Sequence, residues 1–521
     1  MKVQTFMGGV AVLFIGGALA KLLGAIFRIP LTWVLGAEGL GLYQLIYPVF
    51  ALLIVLASSG MPTAISKMTA SRIKAGDNVG ARQVLKVSLF FLGIVGIFFS
   101  ALLLIFSNYI ASLQGNNLAG LGYIAIAPAI FFVCILSAFR GYFQGHSNML
   151  PTATSQIIEQ AGKLIFGLLL AYVFIDFGIE YGTLGAILGV TISEIIAVVV
   201  LWIYYLKSRD KTKNYAQNST NSTMHSTKNR QVLGELVRTS FPIVLASLTL
   251  PLLVMLDSFL VVNLLGNAGL DATQATSLWG INSGVVTSLV NMPIALCLAV
   301  AISIVPAVAS ENERGAVFEK INKALDLIVL FCVPFLLAFT ILPNALISFL
   351  YSDSIGENLL VSCDLLVLSS PILLLGSILQ VQNSSLQALG KGGITMINML
   401  IAGGIKIACT LLFVPNNLIN IYGCAISNLA FYSLAVLLNW VYMRAKLGFK
   451  IRLKSLAPTL AGGGLVALVF LNISFLPLSV YILLPLALVL GAFVYLFSLW
   501  VFGVKFREMF PFLQRKSLKI K

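Results

Sequence analysis

The sequence predicts an all-α integral membrane protein with fourteen transmembrane helices, arranged as two parallel, pseudosymmetric six-helix lobes around a central cavity, plus two C-terminal helices. Three observations support this prediction. Of the 521 residues, 59% are hydrophobic and 10% are charged, whereas soluble domains carry about 25% charged residues. Apolar runs of about 20 residues, long enough to cross about 30 Å of hydrocarbon, recur along the chain. The two halves of the chain also share features at a constant offset.

The apolar runs define the predicted spans. The first run passes residues 18–20, which superficially fit a cleavage site, and continues to Phe27. We therefore expect an uncleaved first span rather than a signal peptide. The fourteen predicted spans are 6–27, 41–62, 86–107, 119–138, 154–175, 183–206, 239–264, 279–305, 324–343, 358–381, 394–414, 420–442, 456–474 and 480–503.

The orientation follows from the basic residues. On this scheme, 29 of the 33 Lys and Arg residues fall on one side of the membrane, at the termini and in alternate loops. Because cytoplasmic loops are enriched in Lys and Arg, both termini are predicted to be cytoplasmic. The excess of basic over acidic residues is thereby explained by topology, and we expect no nucleic-acid partner.

A long polar segment divides the chain. It contains the low-complexity stretch NYAQNSTNST and is typical of a flexible cytoplasmic linker. The predicted division is an N-lobe at 1–206 with spans 1 to 6, the linker at 207–238, a C-lobe at 239–442 with spans 7 to 12, and spans 13 and 14 with a basic cytoplasmic tail at 443–521.

The two lobes show a faint internal duplication. A shift of 243 positions places Lys163 on Lys406, and a shift of 244 places Pro62 on Pro306, each pair at matching points of the predicted topology. Since each repeat has an even number of spans, the lobes have the same orientation and are related by an axis along the membrane normal. Such lobes enclose a cavity and expose it alternately to the two sides.

Four basic residues remain after the cytoplasmic ones are subtracted: Lys21, Lys163 and Lys406 inside predicted spans, and Arg28 at the outer edge of span 1. A central Lys or Arg costs about 2.5 to 3.5 kcal/mol on insertion scales, so each needs an explanation. Lys163 and Lys406 lie about 15 to 18 Å deep, near the midplane. One interpretation is structural: Lys163 pairs with Glu159 one turn earlier, and Arg28 anchors the outer interface. The functional interpretation is a cationic cavity that binds an anionic group.

Two acidic residues are candidates for ion coupling. Glu194 lies near the middle of a span, where it is expected to pair with a cavity lysine. Asp257 lies in a span that Pro242 and Pro251 interrupt, so freed backbone carbonyls beside its carboxylate are candidates to coordinate Na⁺ or relay a proton. The alternative for Asp257 is a structural hydrogen-bonding role.

The sequence indicates neither catalysis nor a cofactor. It has no nucleotide-binding motif, and its only histidines, His146 and His225, fall in cytoplasmic loops. We therefore expect no catalytic residue, no metal site and no ATP hydrolysis, with Na⁺ or H⁺ coupling as the remaining option. The cysteines all fall in apolar runs and are predicted to be packing residues: Cys134, Cys297, Cys332, Cys363, Cys409 and Cys424.

Several segments carry a family resemblance. The sequence RGYFQGHSNM at 140–149, followed by matching residues at 151–153 and 155–160, resembles the signature of spans 4 and 5 in the stage V sporulation protein B and polysaccharide exporter family. The segments GAEGLGLY at 36–43 and PTAISK at 62–67 are also similar to that family. The chain thus resembles the lipid II flippase-like branch of the multidrug, oligosaccharidyl-lipid and polysaccharide exporter superfamily.

The resemblance implies a flippase that moves a polyprenyl-linked sugar precursor, including lipid II, across the bacterial cytoplasmic membrane. In the lipid II flippase branch, basic residues of span 1 are thought to engage the pyrophosphate, and Lys21 falls at such a position. The lipid-linked sugar, membrane lipids and cell-wall synthesis proteins are the expected partners of a monomer. The predicted substrate-binding set is Lys21, Arg28, Lys163, Lys406, Glu159 and Arg140.

Physical chemistry supports the same function and leaves two alternatives. A pyrophosphate carries about two negative charges, so the potential favours its outward movement by about 4.6 kcal/mol per 100 mV. The first alternative is a cation-coupled multidrug antiporter, which the acidic residues Glu159, Glu194 and Asp257 favour and the basic residues of span 1 disfavour. The second is a membrane glycosyltransferase or polymerase, which would need general acids or metal ligands in ordered loops.

Overall fold

The computed structural model describes residues 6–216, 228–311, 313–450 and 452–503, and these ranges are helical without β-strands. The α-helices are α1 Phe6–Ser58, α2 Met61–Lys74, α3 Asn78–Leu113, α4 Ala119–Gly145, α5 Leu150–Gly162, α6 Leu168–Phe174, α7 Ile179–Ala216, α8 Asn229–Ser247, α9 Thr249–Asn267, α10 Ala272–Trp279, α11 Thr287–Ala309, α12 Arg314–Ile341, α13 Pro343–Tyr351, α14 Leu359–Ala388, α15 Gly392–Phe413, α16 Tyr422–Tyr442, α17 Ala457–Ser474 and α18 Val480–Val501.

Short non-α segments interrupt or extend these helices. The π-helical segments are Lys163–Gly167, Gly280–Val286 and Met443–Leu447, and the 3₁₀ segments are Ile175–Phe177, Ser352–Asn358 and Leu453–Leu456. The first π-helix joins α5 to α6 without a loop, so the two helices form one continuous span.

The membrane-spanning architecture is confirmed. Within the described ranges, thirteen helices are long and apolar enough to cross a membrane by length and composition. The predicted number of fourteen is not confirmed, because α1 runs through the two segments at 6–27 and 41–62 that the sequence separates into two spans. The chain bends inside this helix instead of leaving it through a loop.

The bend in α1 occurs at Gly36, whose backbone has φ 64° and ψ −170°. L side chains rarely adopt this conformation, so the position requires glycine. Replacing Gly36 by alanine is expected to destabilise the protein by about 1 to 3 kcal/mol. Melting of the purified variant would show this loss. Gly266→Ala is the control, since Gly266 is helical and no described atom lies within 4 Å of an added Cβ. Equal melting of both variants would contradict the prediction.

The predicted linker and span 7 differ from the structure in detail. Helix α7 continues to Ala216 and α8 begins at Asn229, so helix enters the predicted linker from both sides. Its remainder, residues 217–227, and the tail at 504–521 lie outside the described residues. Predicted span 7 comprises parts of two helices, α8 and α9, which are separated at Leu248.

The internal contacts divide the chain into two compact units, Met1–Gly284 and Val285–Lys521. The lobe boundaries predicted from the sequence stay a prediction. In the first unit, α9 and α10 pack against α1. Two side-chain hydrogen bonds hold these helices to the end of α3 and the turn after it: Gln114 Nε2 donates to Ser258 Oγ at 3.0 Å, and Asn116 Nδ2 donates to Thr276 Oγ1 at 2.8 Å.

The cysteines pack in apolar surroundings, as the sequence predicts. All six are free thiols; Cys409 is partly exposed and the other five are buried. Two of them, Cys297 and Cys332, lie with their sulfur atoms 3.6 Å apart between α11 and α12 of the second unit.

Candidate functional site

Four charged side chains meet inside the first unit. Arg140 comes from α4, Glu159 from α5, Lys163 from the start of the π-helix and Glu194 from α7. We call these four residues the charge cluster. It contains two cations and two carboxylates, so it is electrically neutral when all four groups are ionised.

Glu159 is the centre of the charge cluster. Its Oε2 lies 3.0 Å from Arg140 Nη2, and its Oε1 lies 3.1 Å from Lys163 Nζ. Arg140 also donates from Nε to Ser155 Oγ at 3.0 Å. The one-turn pairing of Lys163 with Glu159, which the sequence offers as the structural interpretation of Lys163, is therefore present. It is one part of a larger network that a single helix does not supply.

Glu194 is bound less completely. Glu194 is 1% exposed, and its Oε1 lies 3.6 Å from Lys163 Nζ. Its second oxygen, Oε2, is buried and has no hydrogen-bond partner among the described residues. An unpaired buried carboxylate oxygen costs free energy, so Glu194 is the strained member of the charge cluster.

Glycine contacts allow Glu194 to reach Lys163. An added Cβ on Gly162 would lie 2.6 Å from the Ser193 Cβ, and one on Gly189 would collide with the backbone nitrogen of Gly167. Helix α7 therefore packs directly on the backbone of α5 and the π-helix. Small residues permit such close helix contacts in membranes.

The π-helix Lys163–Gly167 begins at the charge cluster. Single π-helical turns inside longer helices are rare and frequently mark functional sites. Here the wider turn starts at Lys163, which is 5% exposed. The local backbone therefore departs from α geometry where a lysine side chain is held inside the unit.

Aromatic residues of α1 lie beside Lys163. The phenol groups of Tyr43 and Tyr47 interact electrostatically with its ammonium group, and their rings stack with centroids 5.6 Å apart. Arg28 also interacts with Tyr43. Tyr43 therefore lies within electrostatic range of both Lys163 and the predicted substrate-binding residue Arg28.

Lys21 is described only by its backbone. It lies in α1 between Gly17 and Gly24, whose positions approach Gln156 and Gln160 of α5. Residues 17, 21, 24 and 28 share one helical face, so position 21 is on the face that meets α5. The Lys21 side chain lies outside the described residues.

Two further predicted residues, Lys406 and Asp257, are not members of the charge cluster. Lys406 is in α15 of the second unit, where it is 5% exposed and makes a polar interaction. Asp257 is buried in α9 of the first unit and also has a polar partner. The helix break at Leu248 lies more than two turns before Asp257, so the freed carbonyls expected from the prolines are not adjacent to its carboxylate.

An apolar groove lies in the first unit, along the π-helix that begins at Lys163. It has a volume of about 650 Å³ and is formed by α1, the π-helix and α6, with Pro30, Trp33, Leu164, Ile165 and Tyr172 among its lining residues. None of the residues that line it is charged.

The structure describes no cluster suited to a metal. Among the residues that the structure describes, no group of three His, Cys, Asp or Glu side chains is placed to hold a metal ion. His146 lies in the turn after α4, and burial lowers the pKa of its imidazole below the ordinary value. The His146 Nδ1 lies within hydrogen-bonding distance of the Tyr142 carbonyl oxygen, at 2.9 Å.

Comparison with known proteins places this site in a family. Residues 6–312, which include the whole charge cluster, match the model of the polysaccharide biosynthesis protein family. The chain belongs to this family. The resemblance in the segments at 36–43, 62–67 and 140–160 is thereby confirmed.

Two curated relatives cover most of the chain. Stage V sporulation protein B of Bacillus subtilis is 27% identical over 467 residues, which are 88% of each chain. Lipid II flippase MurJ of the same organism is 25% identical over 465 residues, covering 85% of this chain and 84% of its own. The second of these relatives is a lipid II flippase, and the chain is a transporter rather than an enzyme.

Solved structures show the same fold. The lipid II flippase MurJ in an inward closed conformation aligns with a TM-score of 0.72 at 14% identity, covering 97% of this chain and all of that one. An inward-facing multidrug resistance MATE family transporter of the MOP superfamily aligns with a TM-score of 0.65 at 18% identity, covering 84% and 98%. The chain is therefore a multi-pass membrane protein with the MurJ and MATE fold.

Tyr43, Tyr47 and Ser155 were not identified from the sequence. The two tyrosines are spaced four residues apart within an apolar run, which places both hydroxyls on one helical face. That spacing was the available indication of a polar face in span 2. Ser155 offered no such pattern, because its role depends on the approach of α4.

Proposed function

We propose that the protein is a flippase that moves a polyprenyl-pyrophosphate-linked oligosaccharide, lipid II or a related cell-wall precursor, from the inner to the outer leaflet by alternating access. The strongest support is that the two curated relatives named above match at least 84% of their own lengths. The chain therefore contains nearly all of a protein of this type. We expect it to act as a monomer in the bacterial cytoplasmic membrane with both termini in the cytoplasm.

The basic residues within spans are the proposed headgroup ligands. Lys163 and Arg140 are held in the charge cluster, Arg28 lies within electrostatic range of Tyr43, and Lys21 lies on the same face of α1 as Arg28. Placing a pyrophosphate in a low-dielectric region is costly unless cations are already present. We assign Lys406 the same role in the second unit.

The apolar groove suits the other part of the substrate. A polyprenyl chain has no polar group, and no lining residue of the groove carries a charge. We propose that the polyprenyl chain of the substrate lies in this groove while the pyrophosphate is bound near Arg28. The headgroup is then sheltered by the protein, and the tail stays in contact with lipid.

The membrane potential is the proposed source of direction, and coupling to Na⁺ or H⁺ is an optional second feature of the transport cycle. About two negative charges moving outward gain about 4.6 kcal/mol per 100 mV when the cell interior is negative. Glu194 and Asp257 are the proposed coupling residues, since both are buried carboxyl groups within spans.

A cation-coupled multidrug antiporter is the second candidate. Its support is the alignment with the MATE transporter and the presence of two carboxylates in the charge cluster. The two functions make opposite demands on the site, because an antiporter for cationic drugs needs negative charge, whereas a pyrophosphate needs positive charge. The charge cluster is neutral and does not decide between them, whereas the basic residues Lys21 and Arg28 of α1 favour the flippase.

Flipping of a labelled lipid-linked sugar in proteoliposomes tests the proposal. Lys163→Ala and Lys406→Ala are each expected to slow flipping by about tenfold or more, since a charge-assisted hydrogen bond contributes about 1.5 to 3 kcal/mol. Lys323→Ala is the control, because the Lys323 side chain is 66% exposed and pairs only with Glu319. Circular dichroism establishes that each variant is folded.

Unchanged flipping in both folded variants would remove the headgroup assignment. The substrate needs a separate measurement, because several precursors share the polyprenyl pyrophosphate. Growth of a strain depleted of its lipid II flippase, carrying this chain instead, would support lipid II. Failure to grow despite membrane expression would favour another lipid-linked sugar, such as a spore or capsule precursor.

A further inference from the structure

We infer that Glu194 is a proton-binding site linked to the headgroup, so that each anionic headgroup bound at Lys163 brings one proton onto Glu194. This inference rests on the proposed function and adds its regulation by pH. The proton binds at Glu194 Oε2. Glu194 needs it because the bound headgroup takes the Lys163 ammonium as its own partner.

The geometry singles out Glu194 from Glu159. Glu159 has two cationic partners, at 3.0 and 3.1 Å, whereas Glu194 has only Lys163 at 3.6 Å. Glu194 Oε2 has no hydrogen-bond donor among the described residues. Glu194 is also the more deeply buried of the two carboxyl groups. If one carboxyl of the charge cluster is neutral, it is Glu194.

The charge balance explains why a headgroup changes Glu194. With all four groups ionised, each carboxylate is compensated by a cation. A phosphate that binds Lys163 takes up the one cation among the described residues that forms an ion pair with Glu194. Arg140 is held by Glu159, so the Glu194 carboxylate remains in a buried site with no cation in contact and takes a proton instead.

The other groups around α7 do not replace Lys163. The π-helix and α5 supply Lys163 and Glu159, α4 supplies Arg140, and α6 has no charged residue. Tyr43 and Tyr47 of α1 face Lys163, and Arg28 lies beside Tyr43. Arg140 bonds to Glu159 and Ser155. Asp176, in the 3₁₀ turn after α6, is about 20 Å farther along the span than Lys163.

The linked step is a simple exchange of partners. The phosphate oxygen forms an ion pair with Lys163 Nζ, the contact between Lys163 and Glu194 breaks, and a proton from water forms an O–H bond at Glu194 Oε2. The protonated carboxyl can then donate a hydrogen bond toward the carboxylate of Glu159. Release of the headgroup reverses the exchange and returns the proton to water.

This linkage has a consequence for transport. A pyrophosphate of about two negative charges that moves with one proton carries a net charge of about −1. The contribution of the membrane potential to outward movement then falls by half. Headgroup binding should also tighten as the pH falls, by at most about tenfold per pH unit, because one proton is taken up.

Calorimetric binding of an undecaprenyl-pyrophosphate-linked sugar to the purified protein tests the inference. Its pyrophosphate is esterified at both ends, so it lacks the terminal phosphate group that titrates near pH 6. Titrations in buffers of different ionisation enthalpy, from about pH 6 to about pH 8, count the protons exchanged. We expect the wild-type protein to take up close to one proton and to lose affinity as the pH rises. We expect Glu194→Gln, which mimics the neutral carboxyl, to take up none and to bind with little pH dependence. Glu319→Gln, at an exposed pair, is the matched control and should behave as the wild type.

The outcomes separate this inference from the proposed function. Binding by the wild type without proton uptake, or unchanged proton uptake in Glu194→Gln, would overturn the inference and leave the flippase proposal intact. Absence of binding by the folded wild type at every pH would contradict the flippase proposal itself. The wild-type proton count alone decides the matter if Glu194→Gln fails to fold.

Discussion

Replacing Glu159 by alanine is expected to destabilise the protein by about 3 to 5 kcal/mol, which is the usual cost of removing one partner from a buried ion pair. Glu159 contacts both cations of the charge cluster, Arg140 at 3.0 Å and Lys163 at 3.1 Å. Its loss leaves two buried positive charges with Glu194 as the remaining carboxylate. The melting temperature of the purified variant measures this effect.

The chain contains a matched control for Glu159. Glu319 and Lys323 form a pair with the same four-residue spacing at 2.8 Å, but both side chains are exposed. Water and salt screen such pairs, so Glu319→Ala should melt like the wild type. If Glu159→Ala and Glu319→Ala have the same melting temperature, the charge cluster is not a compensated buried network.

Replacing Gly189 by leucine is expected to destabilise the protein by about 3 kcal/mol, the upper end of the usual cost of overpacking. Any Cβ at Gly189 collides with the backbone nitrogen of Gly167, and a backbone atom cannot move aside as a flexible side chain does. The leucine therefore separates α7 from the π-helix. Since Glu194 lies on α7 and Lys163 on the π-helix, their contact is lost as well.

Thermal melting and flipping assays of Gly189→Leu measure both effects. Gly404→Leu is the control, because Gly404 is a helical glycine with no described atom within 4 Å of an added Cβ. We expect this control to retain the stability of the wild type. Wild-type stability and flipping in Gly189→Leu would show that the close contact between the two helices is dispensable.

Much of the fold was predictable because membrane insertion acts on local properties of the chain. A run of about 20 apolar residues crosses the bilayer whatever it packs against, and basic residues stay in the cytoplasm. From α3 onward each predicted run overlaps a helix or a helix pair, with ends that differ by up to about ten residues, and predicted span 7 is divided between α8 and α9. The apolar runs at 6–27 and 41–62 lie on either side of Gly36, whose backbone is non-helical, so the sequence also indicated where α1 bends.

The candidate site was predictable only in part. Lys163 stood out because a lysine in an apolar run needs compensation, and its pairing with Glu159 follows from a spacing of one helical turn. Arg140 was included because it lies in a segment that resembles the family. Its contact with Glu159 joins residues of two helices and is not encoded in any local pattern.

Composition and the spacing of apolar and basic residues determined that this chain spans a membrane many times and keeps a few charges inside it. Both properties depend on the cost of transferring each segment from water to lipid, which is a sum over neighbouring residues. Tertiary packing decided which charges meet. Glu194 reaches Lys163 because glycines on α5, the π-helix and α7 let backbones touch, and its second oxygen lacks a partner because of what surrounds it in space.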